Sequence, residues 1–340
     1  MKARIFGAGS IGNHLSNALR ELKYEVEVID IDQLALLRMK NEIYPSRYGE
    51  WDHKIKLLDK PSEEFVDIEI IGTPPDTHAN ILLDRLREKS SRFWLVEKPF
   101  TIPNKSHVKD LEKKLTNFKN CIFVGYNHSV SSAFEELIKD LKKCSPPKKI
   151  SCSWEEHWGG IFKAHPWLDG PEDSYLGFKN RGGGALMEHS HGLHLLVILF
   201  KVFNLEISNI NPLVLMDKEN NYDQKTCLFF EFKNSNVHSF YSTDVISKNV
   251  NKSLIIETEE ELFSLIFGSD GGNSDTYIKK TRFGEEVKKY KKTRADDFIC
   301  EMKLIDKLIK NTSQDSLIEN ISCKNELKVS RICANIFDNN

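Results

Sequence analysis

Two stretches of this chain hold side chains whose types and spacing suit proton transfer. The first is Glu97-Lys98-Pro99. A residue before proline is pushed out of the helical region into an extended conformation, so Lys98 is expected to prolong the strand before it and to project from that strand's carboxyl end. A lysine desolvated there beside a second cation has a lowered pKa and can take the proton from a substrate hydroxyl. The plain alternative is an exposed lysine paired with a neighbouring acid, and spacing alone leaves both open. The second stretch runs from Gly182-Gly183-Gly184 through Glu188, His189, His191 and His194. Three glycines before a helix let another backbone or a ligand come close. On the one long helix expected from near Ala185 to Phe200, Glu188 and His191 share a face, as do His191 and His194. Glu188 could then orient His191 or raise its basicity, giving an acid/base pair near Lys98. The three histidines also admit a metal-ligand reading. An i, i+2 pair diverges on a helix, however, and the chain supplies no complementary ligand motif, so no metal is expected and His189 reads as a core or surface histidine.

Between Trp154 and Lys179 the chain is loop-rich and carries His157, His165, Trp167 and Tyr175. Such side chains suit a polyhydroxylated, partly apolar ligand such as a sugar, through stacking and hydrogen bonds, although aromatic residues are as often simply buried.

These candidates need elements to position them, and the clearest is Arg4 to Asp32. A short apolar run, Ala3 to Phe6, enters Gly7-Ala8-Gly9-Ser10-Ile11-Gly12; an amphipathic helical pattern follows to Leu22, and a strand-like run, Glu25 to Ile29, ends at Asp30. Strand, glycine turn, helix, strand and acid, with the acid about 20 residues on, meet the context test for a dinucleotide site. Gly7 permits the tight turn, Gly9 leaves the backbone open to a pyrophosphate, and Gly12 lets the helix lie close to the strand. The helix start, from Ser10 and Ile11 onward, offers free N–H groups to phosphate. Asp30 can accept from both ribose hydroxyls and would repel a 2′-phosphate, which favours NAD over NADP. Asp32, beyond the strand end, reads as solvated.

Further strands alternate with helices. Val66 to Ile71 ends in Gly72-Thr73-Pro74-Pro75-Asp76-Thr77-His78, read as a turn because prolines continue neither a sheet nor a helix interior; helix then fits Asn80 to Lys89. Phe93 to Val96 leads to Lys98, helix fits Ser106 to Phe118, and Cys121 to Val124 ends at Gly125-Tyr126-Asn127-His128. Alternation of this kind means a doubly wound parallel sheet with its ligand loops along one edge. After a helical stretch, Ser129 to Lys143, and a Ser145-Pro146-Pro147 linker, strand-like runs dominate, with a probable hairpin turn at Asn234-Ser235-Asn236, which implies an antiparallel sheet. Helices at Asp296 to Lys310 and Lys324 to Phe337 close the chain. The expected architecture is an α/β Rossmann domain over residues 1–125 and an α+β domain with an open, mostly antiparallel sheet and flanking helices over 126–340.

At 340 residues the chain suits two domains. With 48 Lys and Arg against 50 Asp and Glu, the net charge of −2 supplies no field to recruit nucleic acid or an anionic membrane. The basic run Lys288 to Arg294 is offset by nearby acids and reads as a solvated segment. Seven scattered cysteines with no CxxC pair suit reduced thiols in a cytoplasmic protein. The glycine turn begins within a few residues of Met1, where a secretory leader would continue as an apolar run, and the longest apolar run, Leu193 to Phe200, is too short to span a bilayer.

Taken together, GAGSIG at 7–12, TPPDTH at 73–78, EKP at 97–99, VGYN at 124–127 and GGGALMEHSH at 182–191 resemble the glucose-fructose oxidoreductase, inositol dehydrogenase and rhizopine-catabolism family (Gfo/Idh/MocA), in family order and across nearly the whole chain. The resemblance implies NAD(P)-dependent hydride transfer on sugars, nucleotide sugars or cyclitols by dimers or tetramers packed through the open sheet. It implies that Thr73, Pro74, His78 and Glu97 touch the cofactor and that Lys98 is catalytic. Asn127, His165, Trp167, Tyr175, His191 and His194 are then candidates to line the substrate site. Two departures stand out. The family commonly has an aspartate with a histidine four residues later, whereas this chain has Glu188 and, at the fourth position after it, Gly192, leaving His191 or His194 as the substitute. Asn127 is followed by His128 in place of the familiar arginine. Three functions fit: an NAD-dependent sugar oxidoreductase, an NAD-retaining enzyme that oxidises a sugar transiently during a net elimination or glycosidic cleavage, and a non-catalytic NAD-binding protein.

Overall fold

The computed structural model describes residues 1–163, 165–233, 235–312 and 315–337. Its first sheet joins β1 (Lys2–Phe6), β2 (Glu25–Ile29), β3 (Ile55–Leu58), β4 (Val66–Ile71), β5 (Ser91–Val96) and β6 (Ile122–Val124). All pairings are parallel and the order is β3-β2-β1-β4-β5-β6. That is the doubly wound order of two mononucleotide-binding halves, with the strand order reversing beside β1. Most of β1, β2 and β4 is buried on both faces, and charges that interrupt their apolar residues are paired inside, Arg4 with Glu69 at 2.8 Å and with Glu27 at 3.0 Å. The strand β3 escapes that pattern: only Ile55 of its four residues is fully buried.

Helix α1 (Ser10–Glu21) follows β1, and α2 (Gln33–Arg38) follows β2. Asp32 is exposed, but its carboxylate accepts from the Leu34 N–H at 2.9 Å, so it caps α2 instead of being merely solvated. A π-turn over Met39–Ile43 leads into α3 (Tyr44–Tyr48). Helix α4 (Pro75–Glu88) begins five residues earlier than expected, because Pro75 is one of its first residues, where proline's missing N–H costs nothing. Helix α5 (Lys105–Lys114) follows β5, and β6 leads through a 3₁₀ turn, Asn127–Val130, into α6 (Ser132–Leu141).

The second sheet contains β7 (Lys149–Glu155), β8 (Ile207–Met216), β9 (Asp223–Phe232), β10 (Ser235–Asp244), β11 (Asn251–Glu257), β12 (Glu261–Gly268), β13 (Ser274–Thr281) and β14 (Gly284–Lys291). Its order is β14-β13-β12-β11-β7-β10-β9-β8, antiparallel except for the β7–β10 pair. Strands β9 and β10 form the expected hairpin; Asn234 in its turn lies outside the described residues. The basic run forms edge strand β14 and its continuation. Lysines are a common way to blunt an exposed edge, while Lys292 just beyond is half-buried between Asp275 (3.0 Å) and Asp297 (2.7 Å).

Between β7 and β8 lie α7 (Trp158–Phe162), α8 (Ala185–Glu188) and α9 (Ser190–Val202). The expected single helix therefore breaks at His189. Helices α10 (Arg294–Ile309) and α11 (Cys323–Phe337) end the described chain. A linear division at 125/126 separates the sheets but not the cores: Phe298, Met302, Ile305 and Leu327 belong to the hydrophobic core under the first sheet, and α10 packs on α1. No helix among the described residues is long and apolar enough to cross a membrane.

Candidate active site at the edge of the parallel sheet

The turn after β1 is tightly constrained on two sides and open on the third. Gly7 has φ +106°, and a Cβ on Gly12 would lie 2.0 Å from the Gly7 carbonyl oxygen, so helix and strand touch there. A Cβ on Gly9 would meet nothing within 4 Å. The residues present thus fit a dinucleotide phosphate: Gly9 opens onto free space at the positive end of a 12-residue helix that starts at Ser10. Asp30 at the end of β2 turns its carboxylate toward this turn, accepting from the Ala8 N–H (2.8 Å) and from the Asp32 N–H (2.9 Å).

The turns after β4 and β5 are stapled together by His78. Its Nδ1 lies 3.0 Å from the Pro99 carbonyl oxygen and its Nε2 2.6 Å from that of Thr73. Burial pushes its pKa down to about 4, so it stays neutral. A neutral ring has a single N–H, which bonds one of these two carbonyls, and His78, only 1% exposed between them, fills the space that joins the two turns. Thr73 bonds Thr77 through the two hydroxyls at 2.6 Å, and Pro74 is exposed ahead of α4.

Strand β5 ends at Val96, and Lys98 stands in the bend beyond it, preceding a cis peptide to Pro99. Its ammonium donates to the Glu188 carbonyl at 2.7 Å and pairs with Glu188 Oε1 at 3.0 Å. Lys98 thus has an acid partner, but one 90 positions away on α8, and its side chain is only 12% exposed. Burial raises the Glu188 pKa, but Lys98 and His189 outweigh it and hold the carboxylate below its ordinary value. Glu97 lies beneath, with its carboxylate flat against Gly125, where a Cβ would come within 2.5 Å of Oε1. Burial, opposed by Lys98, pushes that carboxyl up to about 7.

Glu188 does not orient His191. The break at His189 turns the two side chains apart: Glu188 goes to Lys98, and His191 enters an aromatic group formed by His128 (ring centroids 4.8 Å apart), Tyr126 (5.5 Å) and Trp154 (5.6 Å). Burial first, then His128 and Lys98, hold His191 well below its usual pKa, and its Nδ1 has no partner. His194 is stacked flat on Tyr126 at 3.9 Å and is 1% exposed; burial drives its pKa down to about 3. It is a core histidine, not a substrate ligand. Asn127 is buried, with Oδ1 unpartnered, beside this group. At Gly192 a Cβ would lie 2.6 Å from Tyr241 Cε2, which explains why no side chain stands at the fourth position after Glu188.

The loop before the glycines crosses between the two sheets. Trp167 lies under the Arg38 guanidinium at 4.9 Å, His165 touches Trp167 edge-on at 5.4 Å, and Arg181 pairs with Asp76 at 2.7 Å. Trp167 thus stands against Arg38 of α2, and His165 beside it is near enough to Glu188 to help lower that carboxyl's pKa. Tyr175 is half-buried; burial, then Glu188 and Glu97, push its phenol pKa well up, which puts it beside the Lys98 end of the cleft.

Asp223, at the start of β9, gave no sequence signal, yet it sets α8 in place. Its Oδ2 accepts from the Leu186 N–H (2.9 Å) and the Thr226 hydroxyl (2.6 Å), and Oδ1 has no partner. Burial pushes its carboxyl up to about 7. A raised acid pKa means the folded protein binds a proton that the unfolded chain releases above about pH 4, so stability declines from there to about pH 7 and then levels. Asp223→Asn keeps the acceptor and cannot ionise. Its stability relative to wild type should therefore climb between pH 4 and 7 and plateau above, as read by thermal melts; a pH-independent difference would contradict this.

No family model matches the sequence, and no curated protein matches it. Solved structures do share the fold. UDP-N-acetylglucosamine 3-dehydrogenase GnnA from Acidithiobacillus ferrooxidans aligns with a TM-score of 0.71 at 13% identity, over 99% of this chain and 96% of that one. KijD10, a 3-ketoreductase from Actinomadura kijaniata crystallised with NADP and TDP-benzene, gives 0.72 at 11% over 98% and 95%. A super-repressor mutant of Gal80p from Saccharomyces cerevisiae gives 0.75 at 11% over 99% and 95%. At such identities the likeness is one of fold, and it spans both sheets.

Proposed function

We propose that the protein is an NAD-dependent oxidoreductase of the Gfo/Idh/MocA type, acting on a hydroxyl or keto carbon of a sugar, nucleotide sugar or cyclitol. The observation that carries this reading is the Lys98–Glu188 pair, an amine and a carboxylate contributed by the two sheets' domains and held at the carboxyl edge where a doubly wound fold takes its ligand. A bound nicotinamide would supply the hydride donor or acceptor. Gly9, Ser10, Ile11, Asp30, Thr73 and Pro74 would hold the dinucleotide, with Glu97 beneath its reactive end. Lys98 would hold or move the substrate's hydroxyl proton at Nζ, Glu188 would fix the ammonium, and His191, Asn127 and Tyr175 would orient the sugar. The two neighbours named as a nucleotide-sugar dehydrogenase and a 3-ketoreductase support that substrate class. A homodimer or homotetramer in the cytoplasm is part of the proposal. It is supported by Leu213, Phe229, Ile255, Ile266 and Val287, exposed on the outward face of the second sheet.

A screen of sugars and nucleotide sugars with NAD, and of their keto forms with NADH, followed at about 340 nm, tests the reading. NAD is expected to bind at least about 10-fold more tightly than NADP because of Asp30; the reverse order in a titration would contradict it. The Gal80p neighbour favours a second reading, a regulatory protein that binds NAD without turnover. Saturable NAD binding with no turnover on any substrate would select it. Cofactor retained through purification with product formed and no net NADH change would select transient oxidation within a non-redox reaction.

A further inference from the structure

We infer that residues 165–182 form a strap across the dinucleotide crevice that must lift for the cofactor to enter or leave, so that its two footholds on the first domain set the rate of cofactor exchange; this rests on the dinucleotide reading above. Topology places the strap. Strand β1 stands between β2 and β4 in the sheet, and the chain moves away from it in opposite directions. Right-handed crossovers therefore lay α1 and α2 on one face of the sheet and α4 on the other. The glycine turn opens at the edge between these two helix layers, and the strap has a foot on each. Trp167 holds the guanidinium of Arg38, the last residue of α2, against its ring at 4.9 Å. Further along, Arg181 pairs with Asp76, in the first turn of α4, at 2.7 Å. Beside this second foot a Cβ on Gly182 would lie 2.7 Å from Pro75 Cβ and 3.6 Å from Pro99 Cγ, so the backbone rests directly on the turns after β4 and β5. The glycine turn itself stays clear: a Cβ on Gly9 would meet nothing within 4 Å.

The strap is held unequally on its two sides. Toward the second domain it has a small core of its own, in which Leu176 packs with Trp158, Ile161, Ala185, Tyr222 and Val245, apart from the cores under the two sheets. Its turns are closed from within: the Asp173 carboxylate accepts from the N–H groups of Asp169 (2.8 Å) and Gly170 (3.1 Å). The Lys179 N–H donates to the Asn221 carbonyl, also in the second domain, at 2.8 Å. Toward the first domain both feet are of a weak kind, a guanidinium on an aromatic face and an ion pair whose side chains are 43% and 28% exposed. A segment with its own core and few contacts on one side opens as a unit, and a lid built this way gates the site behind it. A dinucleotide seated on the glycine turn at the switch point lies between the two feet, so it cannot pass while both are down.

The test is stopped-flow fluorescence of NADH binding, and of NADH displacement by excess NAD, on wild type, Trp167→Ala, Arg181→Gln and the double variant. A latch opposes entry and exit alike. The double variant should therefore raise the association and dissociation rates together, by about 10-fold or more, and move Kd by less than about threefold. Each single variant should give part of the effect and melt within a few degrees of wild type. Both rates within about twofold of wild type in the double variant overturn the inference and leave the dinucleotide reading intact. Faster dissociation at an unchanged association rate, with the matching loss of affinity, overturns it in favour of side chains that touch the cofactor directly. Wild type that fails to bind NADH overturns the dinucleotide reading and this inference with it.

Discussion

Lys98→Met should lower turnover by about 100-fold or more while NAD affinity changes by less than about threefold. Methionine keeps the unbranched stem but offers no proton and no donor. The amine it removes makes two contacts, both to Glu188, and none to the glycine turn. The loss should therefore fall on the chemical step. A stability change will accompany it, and its sign follows from Glu188. In the wild type the carboxylate is held below its ordinary pKa, so its contribution is present above the unfolded value and is lost as pH falls through the folded one. Without Lys98 only His189 and His165 oppose burial, the folded pKa rises, and the acid limb that this carboxylate supplies should shrink, so that the variant is destabilised most near neutral pH and least in acid. The double variant Lys98→Met/Glu188→Gln separates the effects: with no buried charge left at position 188 it should regain stability near neutral pH and leave turnover as low as in the single variant. Turnover near wild type in Lys98→Met would remove this lysine from the mechanism, and recovery in the double variant would show that the damage was electrostatic strain.

The residues that sequence made legible are those whose place in the fold is set within a few positions of themselves. The turn Gly7 to Gly12 and Asp30 belong to one strand-helix-strand unit, so local pattern sufficed. The same holds for β4 and β5, whose residues pair with neighbours buried on both faces. The short strand β3 and the edge strand β14 escaped because they are half-exposed, and exposure erases the apolar pattern that marks a strand.

Side-chain partnerships across the chain were much less legible. Helical spacing put Glu188 beside His191, and the inference failed at one residue: His189 leaves helical geometry (φ −95°, ψ 19°), so the spacing rule did not apply across it. Nothing in the local sequence around Glu188 says that its partner is Lys98, nor that Asp223 holds the helix it stands on, because those contacts span 90 and about 37 positions. His194 shows the reverse. Its neighbours Leu193, Leu195 and Leu196 are all buried, and a histidine inside such a run belongs to the core before it belongs to a site.

The glycine triplet supports the second large effect. Gly183→Ala should cost roughly 3 kcal/mol of stability and reduce kcat/KM by at least about 10-fold, with NAD affinity nearly unchanged. A Cβ there would lie 2.1 Å from the Tyr175 carbonyl oxygen and 2.4 Å from that of Leu176. These are backbone atoms, so no side-chain rotation relieves the overlap, and the two segments must separate. The separation strains the Gly183 N–H bond to the Phe178 carbonyl (3.0 Å) and the Gly184 N–H bond to the Leu176 carbonyl (2.9 Å). It also displaces Tyr175 from the carboxylates of Glu188 and Glu97 and loosens α8, which carries Glu188 to Lys98. The backbone at Gly9 takes part in none of these contacts. Thermal melts, NADH titration and steady-state kinetics on the same variant distinguish the possibilities. Stability and kcat/KM falling together with cofactor affinity intact would mean that the triplet serves the sugar side of the cleft. A matching loss of cofactor affinity would mean that the two domains are coupled through Pro75, the residue that Gly182 touches, and that the loop closes over both ligands as one unit.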